Sequence, residues 1–332
     1  MDTYYTMVNG QAMPAAETFA VKNPATDELI GHAPISTPAQ IHEAVAAARA
    51  AQPAWAARPD AERKDILMQV AQVLTDHTPY LAEWITREQG KPMAGPGAMF
   101  EMQACVGWTQ VPASLDLPVE VVFEDDTRRD ELHRTPVGVV GAIAPWNWPL
   151  MIAIWQIIPA LRAGNTVVIK PSEFTTIGTL EMVRLMNTVL PDGVLNTISG
   201  DGKVGAALVE HSGVDKIMFT GSARTARKII EASGGNMARL TLECGGNDPA
   251  IVLPGTDMGT KAGDLFWGAF INMGQTCACA KRLYVHEDDY ANVVSALDTV
   301  SGQMPMGNGM EEGVLLGPIQ NRMQYDKVNE LV

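Results

Sequence analysis

From Val137 to Gly246 the chain repeats one pattern, a short apolar run followed by an amphipathic stretch. The apolar runs are VGVVGAIAP (137–145), NTVVIKP (165–171), VLNTISG (194–200), KIMFTG (216–221) and RLTLECGG (239–246). Helical periodicity fills the intervals 149–163, 175–190, 202–211 and 223–233. Strands that read as continuous apolar runs are buried on both faces, and parallel neighbours need a crossover such as a helix. The pattern therefore predicts a five-stranded parallel sheet covered on both sides, with ligands bound outside the carboxyl ends of the strands.

The flanks are organised differently. Residues 19–37 read as short extended pieces around the turn NPATDE (23–28). Helices are predicted from Thr37, over 60–76, over 78–89 and over 97–112. Thr37 with Gln40 forms a capping box, Pro38 suits the first helical position, and Gly90 and Pro92 stop the third helix. Residues 117–136 read as strand, charged turn and strand, an arm whose exposed edges call for a pairing partner. After the fifth run come a strand at 248–254, a helix at 257–273, the segment GQTCACAKRLYVH (274–286) with a strand at 282–286, and a helix from Asp288 to about 302. This is the opening of a second α/β unit, and the chain ends inside a helical pattern.

Composition narrows the function. A chain of 332 residues suffices for about two domains. Its formal charge of −14 argues against a polyanionic partner such as nucleic acid. No window approaches about 18 uncharged apolar residues, so no membrane span is expected. The start MDTYYTMVNGQAMP lacks the regions of a signal peptide, and a cytoplasmic location follows as the expectation. In that compartment Cys105, Cys244, Cys277 and Cys279 are expected as free thiols.

Each motif has two readings. GDGKVG (200–205) matches GxGxxG between a strand and a helix, yet it follows the third strand of the run and no acid ends the next one. A tight turn lining a ligand cleft is the simpler reading. KPSE puts Lys170 and Glu173 past a strand end, where they meet solvent or a ribose. FTGS places Gly221 and Ser222 at a helix start, as a plain cap or as a pyrophosphate seat. APWNWPL ends the first strand, and Asn147 is there either a turn residue or an amide aimed at an oxyanion. LECGG leaves Glu243 at a strand end among apolar residues, a setting that raises a carboxyl pKa toward that of a base. Cys277 and Cys279 lack the further ligands a zinc site needs, and no metal is expected. A disulfide two residues apart would be strained. A nucleophile needs access and thiolate character, which a loop flanked by Gly274 with no nearby acid can supply.

Taken in order, PWNWP, KPSE, FTGS, LECGGND and FINMGQTC resemble the aldehyde dehydrogenase superfamily, from about residue 8 onward. The resemblance implies a Rossmann-like five-stranded cofactor domain (1–116 with 137–244), an oligomerisation β arm (117–136) and part of a catalytic domain (245–332). It implies Cys277 as nucleophile, Glu243 as general base and Asn147 as oxyanion donor. Ala144, Pro145, Trp146, Lys170, Ser172, Glu173, Gly202, Phe219, Gly221, Ser222, Glu243 and Cys244 fall where the family holds NAD(P). Glu173 favours NAD over NADP. The implied reaction oxidises a small-molecule aldehyde to the acid through a cysteine thioester, in a homo-oligomer for the full-length family member.

Two departures stand out. Ala226 replaces the family's glycine one turn after FTGS, and the family's EIFGP-type motif is not found in the sequence. Roughly the last third of a typical family chain lies beyond this sequence. An impaired nucleotide-binding fragment is therefore one alternative, and a coenzyme A-acylating enzyme is another, against which Glu243 favours hydrolysis.

Overall fold

The computed structural model describes residues 3–331. It opens with a hairpin, β1 (Thr6–Val8) and β2 (Gln11–Met13). The two turn residues, Asn9 and Gly10, both have positive φ, the backbone that a two-residue hairpin turn demands. Strands of three residues carry no readable period, so the sequence reading, which began its strands at residue 19, missed this hairpin. A second hairpin joins β3 (Thr18–Lys22) to β4 (Leu29–Pro34).

Four helices follow: α1 (Pro38–Ala57), α2 (Asp60–Asp76), α3 (Thr78–Gln89) and α4 (Ala98–Ser114). The capping box of Thr37 and Gln40 forms as read. Gly90 ends α3 in the left-handed conformation, at φ 94°, where a Cβ would collide with Pro24 and Pro318. The arm is the antiparallel pair β5 (Glu120–Glu124) and β6 (Arg129–Leu132), exposed at every position.

The predicted alternation then appears as β7 (Val139–Ile143), α5 (Pro149–Arg162), β8 (Thr166–Lys170), α6 (Ile177–Met186), β9 (Leu195–Thr197), α7 (Gly202–Glu210), β10 (Lys216–Gly221), α8 (Ala223–Ser233) and β11 (Arg239–Cys244). The sheet is parallel throughout, in the order β11-β10-β7-β8-β9. The chain winds outward from β7 to β9, then returns to the far side of β7. The crevice at this reversal, between the ends of β7 and β10, is where ligands bind in open α/β sheets. Strand alternation divides the core in two. Val167 and Ile169 of β8 pack with α2 to α6, whereas Val168 packs with α1, α7 and α8. Ala226 is buried on that second side, where its methyl is part of the packing.

The remaining strands and α-helices are β12 (Asp248–Val252), α9 (Met258–Phe270), β13 (Ala280–Val285), α10 (Tyr290–Gly302) and α11 (Arg322–Leu331). β12 and β13 pair in parallel, and Val252, Met258, Ala262 and Val293 form a small separate core.

Helix α6 is shorter than the predicted 175–190, running from Ile177 to Met186, and the buried Glu88 caps its start. The buried Glu88 carboxylate accepts the backbone N–H groups of Ile177 at 2.6 Å and Gly178 at 2.8 Å, which fixes the first turn. Burial pushes its pKa from 4.5 up to about 8, against the opposing pull of these N–H groups. The folded protein thus binds a proton on Glu88 that the unfolded chain releases between pH 4.5 and about 8. Its contribution is full below pH 4.5 and is lost as pH rises through the folded pKa. The component of the melting temperature that falls across this window is expected to vanish in Glu88→Gln, which keeps an acceptor oxygen and does not titrate. Identical pH slopes in calorimetry of the two proteins would refute this assignment.

Candidate active site

The residues singled out from the sequence gather on one edge of the sheet. β7 ends at Ile143 and leads into Ala144, Pro145, Trp146 and Asn147. β8 ends at Lys170 and leads into Ser172 and Glu173, while β9 leads through Gly200 to Gly202. β10 ends at Gly221 before Ser222, and β11 carries Glu243 and Cys244 at its end.

The turn after β7 is held by groups distant in sequence. Lys91 lies beyond α3 and Glu101 on α4, and both are fully buried. The Lys91 ammonium donates to Glu101 at 2.6 Å and to the Asn147 carbonyl at 2.9 Å. Burial lowers the Lys91 pKa to about 8, with Glu101 opposing. The other Glu101 oxygen accepts the N–H groups of Leu150 and Met151, capping α5.

The cysteine loop comes from the second unit. Asn272, Met273 and Gly274 all have positive φ, so the chain leaves α9 through three consecutive left-handed residues. For methionine this conformation is strained, and it must be held by its surroundings. Here the hold comes from several directions. Asn147 Nδ2 donates to the Gln275 carbonyl at 2.8 Å, and Trp148 Nε1 donates to the Thr276 hydroxyl at 2.9 Å. Lys281 donates to the carbonyls of Thr276 and Cys277, and the Gln320 N–H donates to the Gln275 side chain. Cys277 is half-buried and a free thiol. Its N–H makes no hydrogen bond among the described residues. Cys279 is buried, its thiol turned to the Ile271 carbonyl at 3.8 Å and its pKa raised by burial.

Cys277 and Glu243 line one cavity of about 260 Å³, together with Trp108, Ile152, Trp155 and Phe219. The rings of Trp108 and Trp155 lie 5.2 Å apart. Glu243 itself is exposed, not enclosed by apolar neighbours as its sequence context suggested. The reason is position: β11 is an edge strand, and Glu243 stands near its open end. Asn147 reaches the loop rather than the cavity wall. Its amide is engaged by Gln275, leaving a second N–H on the same nitrogen.

A dinucleotide fits the rest of this edge on chemical grounds. A Cβ built at Gly202 would meet nothing within 4 Å, so the start of α7 is open to a close approach. Ser222 caps α8 by accepting the Thr225 N–H at 3.1 Å, and the other first-turn N–H groups suit a pyrophosphate. Glu173 is half-buried beside Ser172 and offers a carboxylate to ribose hydroxyls. Lys170 is buried, and its ammonium lies on the Pro171 carbonyl at 2.7 Å.

Lys91, Glu101 and Asn272 were missed in the sequence reading. Asn272 Nδ2 donates to the Asn147 carbonyl at 2.7 Å, so Lys91 and Asn272 share that oxygen. Lys91 stands in the stop segment between Gly90 and Pro92, and Glu101 ten residues on inside α4, so no local pattern pairs them.

A reversing parallel sheet with an open carboxyl edge, facing a cysteine loop across a shared cavity with a carboxylate, defines a class of α/β nucleotide-type folds with a thiol site. Comparison with known proteins makes this specific. The chain belongs to the aldehyde dehydrogenase family, whose sequence pattern matches residues 12–332. It is 37% identical to phenylacetaldehyde dehydrogenase of Pseudomonas fluorescens, covering 97% of this chain and 67% of that protein. It also resembles an NAD+ complex of aldehyde dehydrogenase from Bacillus cereus, with a TM-score of 0.95 and 32% identity over 99% of this chain and 69% of the other. A structure of 3,6-anhydro-L-galactose dehydrogenase in complex with NAP matches at TM-score 0.93 and 32% identity, covering 99% and 70%. The chain thus spans about two thirds of the length of these relatives.

Proposed function

We propose that the protein oxidises an aldehyde to its carboxylic acid with NAD+, using Cys277 as nucleophile and Glu243 as general base. The observation that carries this reading is the shared cavity of Cys277 and Glu243, beside an open dinucleotide edge. The Cys277 thiolate adds to the aldehyde carbon. The oxyanion is stabilised by the unengaged Cys277 N–H and the second N–H of Asn147. NAD+, when bound, would supply the hydride acceptor, and Cys277 would then hold the oxidised substrate as a thioester. Glu243 takes a proton from a water molecule as that water attacks the thioester carbon, and the thiolate departs as the acid is released. Trp108, Trp155 and Ile152 give the cavity apolar walls, which favours an aldehyde with an apolar or aromatic substituent.

The cofactor would be held by Gly202, Gly221 and Ser222 at the helix starts, by Lys170, Ser172 and Glu173 at the ribose, and by Ala144, Pro145, Trp146, Phe219 and Cys244 along the edge. The sheet domain (1–116 with 137–244), the start of a catalytic domain (245–332) and the arm (117–136) are the proposed division. The arm, exposed at every paired position, would pair with another copy of the chain. No described helix is long and apolar enough to cross a membrane. A cytoplasmic location remains part of this proposal.

NADH formation by the full-length gene product, followed spectrophotometrically across aliphatic and aromatic aldehydes, tests the function. Absence of turnover with every aldehyde would end it. Cofactor choice has its own expected result. Glu173→Gln should weaken kcat/KM for NAD+ by about 10- to 100-fold, the loss of a charged hydrogen-bond acceptor, and should narrow the gap to NADP+. An unchanged NAD+/NADP+ ratio would remove Glu173 from the ribose site.

A further inference from the structure

We propose that the buried Lys91–Glu101 pair is a positioning device for the oxyanion hole, setting the direction of Asn147 through its backbone. The inference rests on the reading of Asn147 as an oxyanion donor. Neither residue touches the cavity, and their contacts converge on one turn. Lys91 Nζ donates to the Asn147 carbonyl at 2.9 Å, and it lies 3.5 Å from the centre of the Trp148 ring. Asn272 Nδ2 donates to the same carbonyl at 2.7 Å. Two donors on one carbonyl fix the plane of the peptide that follows Asn147. Glu101 fixes the next step by accepting Leu150 N–H at 2.9 Å and Met151 N–H at 3.1 Å. The main chain on both sides of Trp148 is thereby immobilised, and Asn147 Nδ2 is aimed at the cysteine loop.

Stability alone is a weak reason for such a pair. Two charges removed from water lose hydration that their mutual attraction often fails to restore, and apolar replacements of similar volume are frequently neutral or stabilising. Geometry supplies the better reason, because a buried ammonium is a donor whose place is fixed by its partner. An apolar side chain of the same length fills the space and leaves the Asn147 carbonyl with one donor fewer.

Two reactions at Cys277 separate aiming from folding. Alkylation by iodoacetamide is a displacement at saturated carbon and forms no oxyanion. Acylation by p-nitrophenyl acetate passes through a tetrahedral oxyanion. Rates for both are read at the Cys277 peptide by mass spectrometry, in the chain without added cofactor. Lys91→Met is expected to slow acylation by about 10- to 100-fold, the scale of an ångström-sized misplacement, with alkylation unchanged within about 2-fold. Should the lone Glu101 prevent folding, Lys91→Met with Glu101→Gln carries the test, since it leaves no unpaired charge and keeps an acceptor for α5. Asn147→Ala is the reference and should slow acylation by about 10²- to 10³-fold. If Asn147→Ala slows acylation and both Lys91 variants do not, the positioning role is overturned and the oxyanion reading stands. If Asn147→Ala has no effect, the oxyanion reading itself falls and takes the proposal with it. Parallel loss of both reactions, or failure of the double variant to fold, assigns the pair to the fold and overturns the proposal.

Discussion

Cys277→Ser is expected to lower kcat for aldehyde oxidation by at least about 10³-fold while NAD+ affinity stays within about 2-fold. A serine hydroxyl is nearly isosteric with the thiol, so the half-buried loop keeps its form. It is nevertheless far less acidic, and a thiolate is what attacks the carbonyl. The loop contacts that place residue 277 run through Gln275, Thr276 and the Cys277 carbonyl, none of which the substitution touches. Cys279→Ser provides the comparison. Cys279 is buried, its thiol faces the Ile271 carbonyl, and burial raises its pKa, which suits a packing residue. Its replacement should leave kcat within a few-fold. Steady-state kinetics and cofactor titration of the two variants decide the matter. Retained activity in Cys277→Ser, or its loss in Cys279→Ser alone, would reverse the roles of the two cysteines.

The sheet was legible because its information is local. Five apolar runs, a capping box at Thr37 and a glycine stop at Gly90 each act within a few residues, and each appears where it was read. The carboxyl-edge placement of Asn147, Lys170, Gly221 and Glu243 follows from the parallel order alone. Much of what was not legible depends on contacts across long separations. Glu88 caps α6 from 89 residues away, and Lys91 reaches Asn147 across 56. No local pattern announces such a partner. Glu243 failed in the opposite sense, since apolar neighbours in sequence do not enclose a residue on an edge strand. The consecutive left-handed Asn272 and Met273 were hidden because neither is glycine, the residue that normally marks such a backbone.

Glu243→Gln is expected to divide the reaction in two. Addition of Cys277 to the aldehyde and departure of hydride need no water, whereas release of the acid does. The variant should give a burst of NADH equal to the number of active sites, then a steady rate lower by about 10²- to 10⁴-fold, the range a positioned general base contributes. Hydroxylamine attacks thioesters without base assistance and should restore turnover, yielding the hydroxamate in place of the acid. The substitution is structurally mild, because Glu243 is exposed on an edge strand and takes part in no ion pair among the described residues. Surface changes of this kind alter stability by at most about 0.5 kcal/mol. Rapid-mixing absorbance resolves the burst directly. An equal loss of burst and steady state would move Glu243 ahead of the thioester, to the activation of Cys277, and the alkylation rate of Cys277 would fall with it. A burst with unimpaired alkylation leaves hydrolysis as its step, and its exposure then becomes an asset, because the attacking water must reach it.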